Sequence, residues 1–229
     1  MTQAAIFDFD RTLTRRDTLL PWVTHLVGPG KAVLGVAATA RGAMPPWTHD
    51  RRGRAKAALF RAVLSGRRED EIEEAAKRLE PEIAWNDAPC ARLLDHLRAG
   101  HKVLIATGAL APVARILLTP RFGSLEVIGT ELAAPSCDGT LDGSMASANC
   151  IGTAKAERVA RWIKEHGPFD RISGYGNAPH DLPMLSLCDA PHLVARGQLS
   201  RLPAGWEFRL ALAGAEMLRN RAVVGEHGR

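Results

Sequence analysis

Two carboxylates and two hydroxyls end the first apolar run of the chain, Ala5-Ile6-Phe7-Asp8-Phe9-Asp10-Arg11-Thr12-Leu13-Thr14. Burying one carboxylate is costly, and two close together repel each other. A cation between Asp8 and Asp10 would offset both costs. Hard divalent cations such as Mg²⁺ take carboxylate oxygens and readily share a phosphate. A carboxylate can also attack phosphorus to give an acyl phosphate. A polar turn after a strand accounts for the same residues, so later stretches must decide. Thr107-Gly108 offers a hydroxyl and an unobstructed amide just before an expected helix N-terminus, where a phosphate could rest; an ordinary strand-to-helix turn is the alternative. Lys155 supplies a cation near the start of a helix, although a helix lysine is usually solvated. The loop Gly176-Asn177-Ala178-Pro179-His180-Asp181 supplies an amide oxygen and a carboxylate suited to Mg²⁺, or a turn with Asp181 capping the next helix.

The elements that must position these residues fall into two patterns. Ala5 to Phe7 reads as a buried strand. From about Thr14 to Asp87 no strand pattern occurs. Leu19, Leu20, Val23 and Leu26 recur at helical spacing, and Gly28-Pro29-Gly30 ends that helix. An apolar stretch from Val33 to Ala40 precedes the break at Met44-Pro45-Pro46-Trp47. Amphipathic helices are expected over Arg54 to Leu64 and Glu69 to Leu79. From Ala88 helices and strands alternate: a helix over Ala91 to Ala99, a strand over Lys102 to Ala106, and a helix from near Pro112. A strand over Glu126 to Glu131 and a hairpin-like excursion over Cys137 to Gly143 follow. Then come a helix over Lys155 to His166, a strand over Arg171 to Tyr175, a helix from Leu182 to Leu187 and a strand over His192 to Ala195. Such alternation predicts an α/β fold, a mainly parallel sheet covered on both faces. These sheets bind ligands at the carboxyl ends of their strands. Asp8, Thr107 and Asn177 would share that edge. Trp206 to Arg229 reads as a tail, helical or frayed.

Composition narrows the function classes. The 229 residues are 46% hydrophobic and 24% charged, with a net charge of +5. That suits an anionic substrate, but no basic arm interleaved with aromatics points to nucleic acid. Cys90, Cys137, Cys150 and Cys188 form no CxxC pair, which argues against zinc and a disulfide framework. No secretory leader is evident, and Lys31, Arg41 and two prolines interrupt the only long apolar run. A cytoplasmic protein with reduced thiols and no transmembrane segment is expected.

Taken in order, the motifs resemble the haloacid dehalogenase superfamily of phosphohydrolases. Asp8-x-Asp10-x-Thr12 is similar to its first motif, Thr107 to its second, Lys155 to its third, and Asn177 with Asp181 to its fourth. The stretches Tyr175-Gly176-Asn177-x-x-x-Asp181-Leu182-Pro183-Met184-Leu185, Cys150-x-Gly152-x-x-Lys155 and Gly205-Trp206 resemble the phosphoserine-phosphatase-like branch. The resemblance implies a Rossmann-like, doubly wound core over residues 1–13 and 88–205, an all-helical cap over 14–87 and a tail over 206–229. It implies Asp8 as nucleophile and Asp10 as general acid and base. Thr107 and Lys155 would neutralise phosphoryl oxygens, and Mg²⁺ would be held by Asp8, Asp10, Asn177 and Asp181. Thr12, Gly108, Asp17, Arg54 and Lys56 are the expected substrate contacts. The implied partner is a small phosphorylated metabolite; a lipid phosphate, as for the phosphatidylglycerophosphate phosphatase of this branch, is the alternative. A phosphate-binding or regulatory protein without turnover is a third reading, which the intact Asp8, Asp10, Thr107 and Lys155 disfavour. Three residues depart from the pattern: Arg11 where Gly or Ser is common, Asn177 where aspartate is usual, and Ala178 where a hydroxyl often stands.

Overall fold

In the computed structural model, which describes residues 2–33 and 51–206, the opening apolar run is the centre of the sheet. Strand β1 (Gln3–Phe7) is flanked in parallel register by β2 (Lys102–Leu110) and β4 (Arg171–Gly176), with Phe7 opposite both Ile105 and Tyr175. Strand β3 (Glu126–Thr130) lies outside β2, and β5 (Ala190–Ala195) outside β4. Antiparallel β6 (Gln198–Arg201) closes that edge, giving the order β3-β2-β1-β4-β5-β6 among the described residues. The chain leaves β1 for one side first and the other side later, so the order reverses at β1. At such a switch point the connections diverge and leave a crevice at the carboxyl end. Asp8 is the first residue beyond it.

Period-2 alternation makes β1 a divider between two apolar clusters. Ala5 and Phe7 face a cluster that also holds Trp22, Phe60, Leu79 and Leu117. Ala4 and Ile6 face one built with Val159, Trp162, Met184 and Leu185. The first face is covered by α4 (Asp87–Arg98) and α5 (Ala111–Phe122), the second by α6 (Gly152–His166) and the short α7 (Leu182–Leu185).

Between residues 14 and 87 the described elements are helical: α1 (Leu19–Val27), α2 (Arg51–Leu64), α3 (Glu69–Leu79) and a 3₁₀ turn, Glu80–Glu82. Thr14 and Trp85 pair as an isolated antiparallel bridge where the chain leaves and rejoins the sheet region. Asn86 ties this stem together, its Nδ2 donating to the carbonyls of Thr12 at 2.9 Å and Thr14 at 3.0 Å. The α3 boundaries match the sequence expectation, because its apolar face (Ile72, Ala75, Ala76, Leu79) is written locally. The stretch from 34 to 40, the break at 44–47 and the tail beyond 206 lie outside the described residues.

Three expectations are corrected. Strand β2 does not end at Ala106 but runs through Thr107-Gly108 to Leu110. Leu110 pairs with Thr130 across an irregularity, so the ladder to β3 carries the strand past its apparent break. Helix α5 therefore begins at Ala111, and Thr107-Gly108 is not at a helix N-terminus. The strand ending at Ala195 is not the last, because the two-residue turn Arg196-Gly197 adds antiparallel β6 to the mainly parallel sheet. The excursion around Cys137 to Gly143 is hairpin-like: Leu132 bridges Met145 antiparallel, and Ser136 N–H donates to Thr140 O.

Candidate active site

The loop after β1 folds back on a single acceptor. The amides of Thr12, Leu13 and Thr14 all donate to Phe9 O, at 3.2, 2.8 and 3.1 Å. This winding returns the Thr12 hydroxyl to Asp8, where it donates to Oδ2 at 2.7 Å. Asp8 itself is fixed at the backbone by its N–H to Tyr175 O, 2.9 Å. Asp8 is 4% exposed. Burial, and then the charge of Asp181, push its pKa up to about 6, against the pull of Lys155 and Thr12.

Lys155 is not the solvated helix lysine that its position alone would suggest. It is 2% exposed in the first turn of α6. Its Nζ donates to Asp8 Oδ1 at 2.7 Å and to Asp181 Oδ1 at 2.6 Å. Burial works against this ammonium, yet the two carboxylates hold its pKa well above the ordinary lysine value. Asp181 stands at the N-cap position of α7 but makes no side-chain cap; its Oδ2 instead accepts the Asn177 N–H at 2.8 Å. Gly176 makes room for this, since a Cβ there would sit 2.6 Å from Asp181 Cβ.

Asn177 also does something other than cap its own turn. Its Nδ2 lies 3.1 Å from Asp8 Oδ2, 3.0 Å from Asp10 O and 3.1 Å from Thr12 Oγ1. Sequence reasoning expected the amide oxygen to face this point. The structure presents the nitrogen, because three oxygens converge there and draw the positive end of the amide. That focus fits a hard cation, which would also offset the burial and carboxylate repulsion that raise the pKa values of Asp8 and Asp10. Among the described residues no three His, Cys, Asp or Glu side chains converge on one point. The oxygen donors for Mg²⁺ would be Asp8, Asp181, the main-chain oxygen of Asp10 and, after a half-turn of its amide, Asn177.

Asp10 points toward the helical insert, with Oδ1 accepting the Thr18 N–H at 2.9 Å. Burial, then the charges of Asp17 and Asp8, push its pKa up to about 7. A carboxyl poised there can both give and take a proton near neutrality. Lys56 reaches the same region from α2, donating to Gly108 O and, at 3.1 Å, to Asn149 Oδ1. Burial lowers its pKa, opposed by Asp10 and Asp17. Thr107 is fully buried beneath, its Oγ1 accepting the Ala109 N–H at 3.0 Å.

Of the sequence-expected residues, Asp8, Asp10, Thr12, Lys155, Asn177 and Asp181 meet directly. Lys56 and Gly108 meet each other, and Asp17 approaches Asp10 and Lys56 through its charge. Arg54 is exposed on α2 and, among the described residues, makes no hydrogen bond or ion pair to the site. Sequence reasoning missed Asn149 and Thr130. The Thr130 hydroxyl bonds to Gly108 O at 2.8 Å and Asn149 Oδ1 at 2.9 Å, holding the β2 irregularity in place. Asn149 directly precedes the Cys150-x-Gly152-x-x-Lys155 stretch, which was its one signal.

The sequence and the fold both have relatives among known proteins. A relative from Caulobacter vibrioides, "Protein CicA", is 33% identical over 193 residues, 80% of this chain and 82% of its own. The histidinol-phosphatase of Neisseria meningitidis is 26% identical over 209 residues, 85% and 90% of the two chains. A solved structure from Bordetella pertussis, of unknown function, superposes with a TM-score of 0.68 at 19% identity, over 83% of this chain and 89% of that one. A substrate-bound phosphoserine phosphatase superposes with a TM-score of 0.58 at 17% identity, over 83% and 85%. The family model for haloacid dehalogenase-like hydrolases matches residues 5–186, which span β1 through α7 and every residue that meets around Asp8. The chain belongs to the haloacid dehalogenase-like hydrolases.

Proposed function

We propose that the chain is a Mg²⁺-dependent phosphomonoester phosphatase that works through an aspartyl phosphate on Asp8. The observation that carries this reading is the buried Asp8 carboxylate at the switch point, with Lys155, Thr12 and Asn177 on its oxygens and Asp10 two residues on. In the first step an Asp8 oxygen attacks phosphorus as the bond to the leaving oxygen breaks, and protonated Asp10 gives its proton to that oxygen. In the second, ionised Asp10 takes a proton from water as that water attacks phosphorus. The acyl phosphate opens, inorganic phosphate leaves and the Asp8 carboxylate is restored. Lys155 opposes the charge on the phosphoryl oxygens while holding Asp8 to Asp181. Thr107 fixes the backbone that presents the Gly108 region. When bound, Mg²⁺ supplies the remaining positive charge against the phosphate and the carboxylates.

For the substrate we favour a small phosphorylated metabolite carrying an amine. Two similar proteins bear the names histidinol-phosphatase and phosphoserine phosphatase. The polar surroundings here, with Asp17 and Lys56 beside Asp10, suit such a molecule better than an acyl chain. No helix among the described residues is long and apolar enough to cross a membrane.

The test is Asp8→Asn. It keeps the shape and the Thr12 contact but cannot form the acyl phosphate, so Mg²⁺-dependent hydrolysis of p-nitrophenyl phosphate should fall by at least about 10³-fold. The circular dichroism spectrum should be unchanged. Turnover near wild type would overturn the mechanism.

A further inference from the structure

Among the described residues, Arg11 and Arg196 are the two non-glycine positions with left-handed backbone, at φ 61° and 50°. Left-handed backbone is strained for a side chain of this size and tends to persist where something else holds it. Arg196-Gly197 forms the two-residue turn between β5 and β6, and Gly197 is also at positive φ, 76°. Asn-Gly or Asp-Gly would meet that turn without strain. Turn chemistry alone therefore does not account for the arginine.

The two strained arginines share one cavity. It has a volume of about 640 Å³ and is lined by Arg11, Arg15, Asn86, Asp87, Arg196 and Gln198, among others. Its charged lining is three arginines and one aspartate. That carboxylate, Asp87, already lies 3.6 Å from Arg15, whose Nε donates to Trp85 O at 2.9 Å. Neither Arg11 nor Arg196 has an acidic partner among the described residues. Arginine's planar fork matches carboxylate and phosphate oxygens in pairs.

We propose that this cavity is a second oxyanion site, separate from the one at Asp8, that accepts a carboxylate or phosphate group. It lies a short chain of contacts from the nucleophile. A Cβ on Gly197 would sit 2.8 Å from Asn86 Oδ1, so the hairpin turn rests against Asn86. The Asn86 amide donates to Thr12 O, and the Thr12 hydroxyl donates to Asp8. The anion has two sources: a second acidic group on the substrate, which rests on the phosphatase reading, or a separate small anion.

Arg196→Gly tests the site. Glycine removes the guanidinium and the backbone strain together, so the thermal midpoint should not fall. In metal-free protein titrated with sulfate, the amide resonances of Asn86, Arg196 and Gly197 should shift and saturate. Arg196→Gly should weaken that titration about fivefold or more, and Arg196→Lys should restore part of it. Steady-state kinetics separates the two sources. If the substrate supplies the anion, Arg196→Gly raises KM for phosphoserine about fivefold and leaves p-nitrophenyl phosphate, which has no second anion, unchanged. If the anion is separate, both KM values stay while the sulfate response weakens. The sulfate measurement does not depend on turnover, so it reads this site even if Asp8 is not the nucleophile. Absence of a saturable shift at these amides in the wild type, or a shift indifferent to Arg196→Gly, overturns the proposal.

Discussion

Asn177 has two amide hydrogens and three oxygen neighbours, from Asp8, Asp10 and Thr12. An aspartate there would turn a donor into a negative group facing the Asp8 carboxylate, a like-charge contact in a buried setting. With Mg²⁺ present the same carboxylate would add one formal charge to the cation's donor set. Asn177→Asp should therefore act with opposite signs under two conditions. In EDTA it should lower stability by roughly 1–3 kcal/mol. In a Mg²⁺ titration it should tighten binding, seen as a larger rise in melting temperature per increment of metal. Unchanged or weaker metal affinity in the variant would place Asn177 outside the metal's reach. The residue types at this site were legible in the sequence because the chemistry demands them. Their pairing was not. That Lys155 is buried follows from Asp8 and Asp181, which arrive from positions 147 and 26 residues away.

Elements were legible where their pattern is local and obscure where a neighbouring strand decides. Helix α3 follows from its own apolar face, whereas β2 reaches Leu110 only because Thr130 on β3 lends it a partner. Strand β6 was hidden behind an arginine in a turn position. Packing between elements also joins groups that the sequence scatters. His96 on α4 contacts Tyr175 OH on β4 at 2.9 Å and His101 Nδ1 at 2.8 Å, and Tyr175 stacks on His192 of β5 with centroids 4.7 Å apart. Burial, then the charge of His101, push the His96 pKa down to about 4, with Arg92 and His192 adding to the effect and Asp95 opposing it. A folded-state value below the ordinary 6.5 means the unfolded chain binds the proton first. Stability is then lost as pH falls from about 6.5 toward 4. His96→Gln should flatten that loss by on the order of 1 kcal/mol, after allowing for a ring that is only half-buried. Asp8 and Asp10, with raised values, shift stability the opposite way over the same window. The difference between wild type and His96→Gln in urea titrations at pH 7.5 and 5 cancels that background. Parallel profiles would show that the histidine cluster does not oppose protonation.

At the scale of the molecule, the helical insert and the sheet share one apolar cluster. Trp22 and Val23 of α1, Phe60 and Leu64 of α2, and Ile72 and Leu79 of α3 belong to the same cluster as Phe7, Ile105, Leu117 and Phe122. Trp22 on α1 is 1% exposed, edge-on to Phe60 with centroids 6.4 Å apart, and its Nε1 donates to Ile72 O at 3.3 Å. The links beside the site are polar by contrast: Lys56 to Gly108 and Asn149, and Asp10 to Thr18. Hydrogen bonds of this kind exchange for water at small net cost, whereas parting an apolar contact exposes area that nothing replaces. Any opening for substrate should therefore break the polar links near Asp10 and pivot on the apolar contact behind them. The shared core also implies that insert and sheet melt together. Trp22→Ala should cost about 3–5 kcal/mol and lower the midpoint of one cooperative transition by roughly 10 °C for a chain of this size. Differential scanning calorimetry decides it through the ratio of calorimetric to van't Hoff enthalpy, which should stay near unity. An early transition confined to the insert, with the sheet melting at its wild-type temperature, would instead show that the helices fold as a unit of their own.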